Sequence, residues 1–130
     1  MGFSNGGMMV YRFLCSAADR VAAAASVSGT NDAGCEPNGA VSILHIHGTA
    51  DESVPYRGGA SVFSALMGST FPPVEEAVGA TAAAQGCGNE PTVSTLGAVT
   101  DRSWTNCRGG ARCGWSASGV GRISGRCEVR

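Results

Sequence analysis

Apolar residues change their spacing along the chain, and the changes mark out elements. Residues 5–18 carry Met8, Met9, Phe13 and Cys15 at near-helical intervals, which predicts a helix. Val21 to Val27 is a short apolar run, Val-Ala-Ala-Ala-Ala-Ser-Val, closed by Ser28-Gly29. Bounded in this way it reads as a buried parallel strand, although alanine is a weak strand former. Residues 30–40 are a loop by composition. Val41 to His47 is the clearest strand and stops at Gly48. Pro55 to Gly59 reads as a turn, and residues 60–67 as a short helix. Pro72-Pro73 followed by Glu75 and Glu76 marks a helix start, with proline in the first turn and carboxylates at the positive end of the dipole. That helix should run to about Gln85 and end at Gly86. Helices alternating with apolar strands predict an α/β domain with a parallel sheet.

Composition narrows what such a domain could do. At 130 residues the chain is one domain at most. A formal charge of −1 gives no electrostatic case for nucleic acid or an anionic membrane. No stretch approaches the length of a membrane-spanning apolar run. Six cysteines are many for this length, yet none forms a C-x-x-C pair, so a zinc site is a poor reading and no metal or cofactor is implied. Disulfides in an exported protein fit better. Cys15 could pair with Cys35, and Cys87 with Cys107 across a hairpin-like region; buried free thiols are the alternative.

The chemistry starts at Gly2-Phe3-Ser4-Asn5-Gly6, a G-x-S-x-G pentapeptide with Gly7 behind it. This is the pattern of a nucleophile elbow, in which a serine sits on a strained strand-to-helix turn. One residue precedes the motif where a strand is needed, so the chain is expected to be part of a longer protein. A serine nucleophile requires a base, and an acid to orient the base. Asp51, just past the strong strand, is the candidate acid; Asp19, Asp32 and Asp101 are its rivals. The backbone N–H of Asn5 is the candidate oxyanion donor. His45 and His47 are the only histidines. Both precede Asp51, the wrong order for this fold, and read as structural residues on one face of a strand. In a chain with 20 glycines a lone G-x-S-x-G is weak evidence, but Asp51 placed after a strand strengthens it.

Several blocks in order resemble one family. Gly2 to Met9, Ala18-Asp19-Arg20, His45 to Asp51, Val54-Pro55-Tyr56 with Gly58-Gly59, Phe71-Pro72, Gly86-Cys87, and Trp104 followed by Cys107 resemble the polyhydroxybutyrate depolymerase and feruloyl esterase family of secreted α/β-hydrolases. The resemblance covers residue 2 to about 110. It implies the C-terminal part of an α/β-hydrolase fold with an incomplete sheet, and a serine carboxylesterase acting on polyhydroxyalkanoate esters or on aromatic esters of cell-wall sugars. It maps the nucleophile to Ser4 and the acid to Asp51. It implies export, and a small-molecule or polymeric ester as the partner. Oligomeric state stays open.

The family's base lies in a late G-G-G-H-x-W-P block, which this sequence does not contain. Residues 111–130 are instead rich in arginine and glycine, with Cys113 and Cys127, and show no convincing period. Written in GC-rich codons and read one base back, Arg122 to Arg126 spells His-Gln-Trp-Pro, and Arg112 to Trp115 spells Val-Arg-Leu. The chain therefore divides into residues 1–110, hydrolase-like, and residues 111–130, an aberrant tail that an out-of-frame reading explains. On that reading Cys113 and Cys127 belong to no disulfide, and the chain as written has little or no turnover. The rival is a catalytically dead binding or interaction domain, in which Arg122 truly replaces the histidine.

Overall fold

The computed structural model describes residues 1–31, 34–37, 39–88 and 90–119. The chain begins with the two-residue strand β1 (Gly2–Phe3) and helix α1 (Asn5–Ala17), then β2 (Ala23–Val27) and β3 (Ser42–Gly48). Helices α2 (Val62–Leu66) and α3 (Val74–Ala84) follow, then β4 (Thr92–Leu96), β5 (Val99–Trp104) and β6 (Cys113–Ser118). One six-stranded sheet runs in the order β1-β2-β3-β6-β5-β4. The first three strands and β6 are parallel, while β4-β5 and β5-β6 are antiparallel.

The sheet is therefore mixed, not wholly parallel as the alternation of elements suggested. The departure is a hairpin. Leu96 pairs with Val99 around the two residues Gly97 and Ala98, with Gly97 at φ 60°, a conformation that suits glycine in a tight hairpin turn. The segment set apart from residue 111 onward divides in the structure. Residues 113–118 form β6, which pairs with β3 and β5 inside the sheet. Val120 to Arg130, including Arg122 and Cys127, lie outside the described residues, as does Asp32.

Both long helices pack on the same face of the sheet. On β3 the residues at alternate positions, Ile43, His45 and His47, are buried and their neighbours half-buried. Register places Cys113, Trp115 and Ala117 of β6 beside them on that face. α1 covers the β2–β3 side with the stripe Gly7, Tyr11 and Leu14, which packs with Ala18, Val41 and Ile43. α3 covers the β6 side with Val74, Val78 and Ala82 against Trp104, Trp115 and Ala117. Its C-terminus follows the sequence signal. Gly86 stands at φ 66°, its N–H donates to the Ala83 carbonyl, and the Cys87 N–H donates to the Ala82 carbonyl, a Schellman cap.

Both expected disulfides form. Cys15–Cys35 ties α1 to the loop before β3, and Cys87–Cys107 ties the end of α3 to the turn before β6. Each links residues 20 apart, and closing a loop of that size stabilises by about 3 kcal/mol in the chain-entropy account. Cys113 is a buried free thiol. Among the described residues no helix is long and apolar enough to cross a membrane.

Candidate active site

Ser4 stands between β1 and α1, where an elbow serine should stand. Its backbone holds φ 52° and ψ −120°, a sparsely populated combination for a residue with a Cβ. Hydrogen bonds and glycines together enforce it. The Ser4 N–H donates to the Val27 carbonyl at 2.8 Å, and the Ser4 carbonyl accepts from the Met8 N–H at 3.1 Å. A Cβ on Gly2 would overlap the Gly6 carbonyl, and one on Gly7 would come within 2.5 Å of Ser26 Oγ. One on Gly29 would come within 2.5 Å of the Ser4 carbonyl oxygen. α1 can therefore sit on β2 only because these three positions carry no side chain. The Ser4 side chain makes no capping hydrogen bond to the helix it precedes. The Asn5 N–H is among the first amides of α1, which lack intrahelical acceptors and carry the positive end of the dipole.

Asp51 lies in the turn after β3. Its Oδ1 accepts from the Ser53 N–H at 2.9 Å and the Val54 N–H at 3.0 Å, which fixes the carboxylate on its own loop. Its Oδ2 lies 3.6 Å from His47 Nε2. Of the rival acids, Asp19 sits in a 3₁₀ turn that leads into the amino end of β2, whereas Ser4 follows the carboxyl end of the parallel strand β1 beside it. Asp101 is exposed on β5.

A cavity of about 460 Å³ lies between the elbow and the acid's loop. It is lined by Ser4, Asn5 and Met8 on one side, Glu52, Ser53 and Val54 on another, and Ser61, Val62 and Phe71. A smaller one, about 230 Å³, lies beside Cys35 and α3 and touches none of the candidate residues. The larger cavity sits at the carboxyl ends of β1 and β3, the edge where α/β sheets present ligand-binding loops. β6 ends at that edge too: the Ser118 carbonyl accepts from the Thr49 N–H at 3.0 Å, two residues before Asp51.

The two histidines belong to a sealed relay. Tyr11 Oη lies 2.8 Å from His45 Nδ1, His45 Nε2 lies 3.1 Å from His47 Nδ1, and His47 Nε2 lies 2.9 Å from the Val54 carbonyl. A carbonyl only accepts, so His47 Nε2 carries the proton and its Nδ1 accepts. His45 Nε2 is then the donor, its Nδ1 accepts, and Tyr11 donates. One carbonyl thus fixes both tautomers. The imidazoles stack at 5.3 Å, 5° from parallel, with no exposed surface on either. Burial, and then the neighbouring His47, push His45 down from 6.5 to about 3. Burial also lowers His47, opposed by its bond to Val54 and by Asp51. Both rings are neutral at physiological pH, and every lone pair is occupied. The sequence placed them on one strand face as structural residues; it gave no sign of Tyr11, which arrives from α1.

Comparison with known proteins finds similarity to feruloyl esterases. The chain is 34% identical over 119 residues to feruloyl esterase B of Piromyces equi, a match covering 87% of this chain and 22% of that protein. It is 36% identical over 69 residues to a probable feruloyl esterase C of Aspergillus niger, covering 52% of this chain and 26% of that protein. This chain is esterase-related. It spans about a quarter or less of the length of these relatives. No family model and no solved structure matches it.

Proposed function

We propose that the chain carries the nucleophile and the acid of a serine carboxylic-ester hydrolase of the α/β-hydrolase type. The observation that carries the reading is Ser4: a serine held at φ 52° and ψ −120° between a strand and a helix, facing a cavity that the Asp51 loop also lines. In the reaction Ser4 Oγ attacks the ester carbonyl, and the oxygen that becomes negative is held by the Asn5 N–H at the positive end of α1. Asp51 orients the base that takes the Ser4 proton. Feruloyl esters, the substrates in the relatives' names, are the first choice of substrate; polyhydroxyalkanoate esters are the other class the motifs allow. The disulfides fit an exported protein.

These 130 residues supply no base. The sequence has two histidines, and the relay occupies both. The chain by itself therefore has little or no turnover, and a base supplied from outside should restore the first step. The test is covalent labelling of the folded chain by a fluorophosphonate, with and without imidazole, read by peptide mapping. Labelling at Ser4 that rises with imidazole and vanishes in Ser4→Ala is the expected result. A folded chain whose Ser4 stays unlabelled at every imidazole concentration would overturn the reading and leave a binding domain on a hydrolase scaffold.

A further inference from the structure

Three sulfur atoms meet where α3 ends against β6. Cys87 is bonded to Cys107, and the free thiol of Cys113 reaches in from the sheet, its Sγ 3.7 Å from Cys87 Sγ. All three sulfurs lie within 4.8 Å of one another. A disulfide exchanges when a thiolate attacks one of its sulfurs along the line of the S–S bond; Cys113 Sγ touches its target from the side of that line, so a side-chain rotation of Cys113 or Cys87 precedes the attack. Val74, Val78, Ala82, Trp104 and Trp115 surround the group, and Cys107 and Cys113 are both buried. An external thiol can approach only the half-buried Cys87, whereas Cys113 attacks it from inside.

We propose that Cys113 exchanges into the Cys87–Cys107 disulfide, so that the chain holds two alternative pairings, Cys87–Cys107 and Cys87–Cys113. The Cys113 thiolate attacks Cys87 Sγ. The bond between Cys87 and Cys113 forms, and the bond between Cys87 and Cys107 breaks. Cys107 leaves as a thiolate and takes up the proton that Cys113 gave up. The pairing moves with no net oxidation, and no other reactant is consumed. Burial pushes the Cys113 thiol up to about 11, so the attacking thiolate is scarce and the exchange is slow.

The exchange moves a tether. In the pairing seen here α3 is fastened to the turn at residues 108–110, which leads into β6. In the other, α3 is fastened directly to β6. The turn then keeps the hydrogen bond from the Arg108 N–H to the Gln85 carbonyl, at 2.8 Å, as its link to α3.

The test uses a Cys127→Ser background, which removes the one cysteine outside the described residues. The chain is incubated in glutathione buffer, free thiols are alkylated, and the unreduced protein is mapped by mass spectrometry. The expected result is a Cys87–Cys113 peptide together with alkylated Cys107, both lost in Cys113→Ser. With glutathione disulfide as oxidant, Cys107→Ser should convert fully to Cys87–Cys113. Should that variant fail to fold, the first measurement decides alone. The proposal is overturned if the parent shows Cys113 as its only alkylated cysteine over the whole incubation, or if folded Cys107→Ser carries Cys87 and Cys113 as separate thiols or glutathione adducts.

Discussion

Ser4 and His47 both stand near the carboxyl end of a parallel strand, and the fold holds them in opposite ways. Ser4 is strained in its backbone, and its side chain faces a cavity. His47 has no exposed surface, and each of its ring nitrogens has a partner. Serine and histidine are both residue types of nucleophilic catalysis, so type alone does not separate them. What separates them is where the fold spends stability. At Ser4 it tolerates strain and leaves the hydroxyl oxygen without a partner in the helix cap. At His47 it satisfies every polar atom and keeps the ring neutral. Substitutions should therefore act in opposite directions at the two places.

The largest effect is expected at the glycines that enforce the elbow. In Gly29→Ala the new Cβ would meet the Ser4 carbonyl at 2.5 Å and the Met8 amide at 2.7 Å. Both are backbone atoms of the turn and cannot rotate away. We expect a loss of about 3 kcal/mol or more, as for an overpacked core, measured by urea unfolding. Gly6→Ala is the control, since a Cβ there meets nothing within 4 Å, and it should unfold close to the parent. Equal losses in the two variants would mean that the elbow is not held by this packing.

The relay comes next. His45→Phe keeps the ring but leaves the Tyr11 hydroxyl and His47 Nδ1 without partners, at a cost of about 3 kcal/mol for two buried polar groups. The same residue fixes a pH dependence. Its folded value, about 3, lies below the ordinary 6.5, so below pH 6.5 the unfolded chain takes up a proton that the folded chain refuses. Stability should be full above 6.5 and fall by about 1.4 kcal/mol per pH unit toward pH 3. His47 adds to the slope in the same direction. His45→Phe should remove its own share. A stability profile flat between pH 6.5 and 4 would show that the histidines take up protons while folded, and the sealed relay would be wrong.

Much of this contrast was legible in the sequence, but unevenly. The two disulfides, each joining residues 20 apart, were one of two readings of the cysteines, and they form. The helix start at Pro72-Pro73, its stop at Gly86 and the strand ending at Gly48 rest on local chemistry, and the structure agrees. The strand-turn-helix position of Ser4 and the loop position of Asp51 were readable for the same reason. The other half of the sheet was not. Every residue of β4 is exposed, so it carries no apolar alternation to find. In β6 the period of two was present in Cys113, Trp115 and Ala117, but set among glycine and serine it is short and faint. The Tyr11–His45 bond and the meeting of Cys113 with Cys87 join residues 34 and 26 positions apart, and no local pattern announces such pairs.

The smallest effect has the opposite sign and is the sharpest test of the comparison. Ser4→Gly removes the Cβ from a residue at φ 52° and ψ −120°. Glycine adopts such a conformation without steric cost, although it loses more freedom on folding. Backbone strain of this kind is worth about 1–3 kcal/mol, and glycine's extra entropy about 0.5–1, so a net gain of about 1 kcal/mol is expected. The Ser4 side chain makes no helix-capping bond whose loss would offset it. The variant should unfold at higher urea with an unchanged slope and take no fluorophosphonate label. A gain in stability that accompanies loss of the reactive group is what separates a strained functional position from a structural one, because a serine placed for the fold alone would be missed when removed. A loss of stability in Ser4→Gly would put Ser4 in the same class as His47, a residue held for the structure it completes.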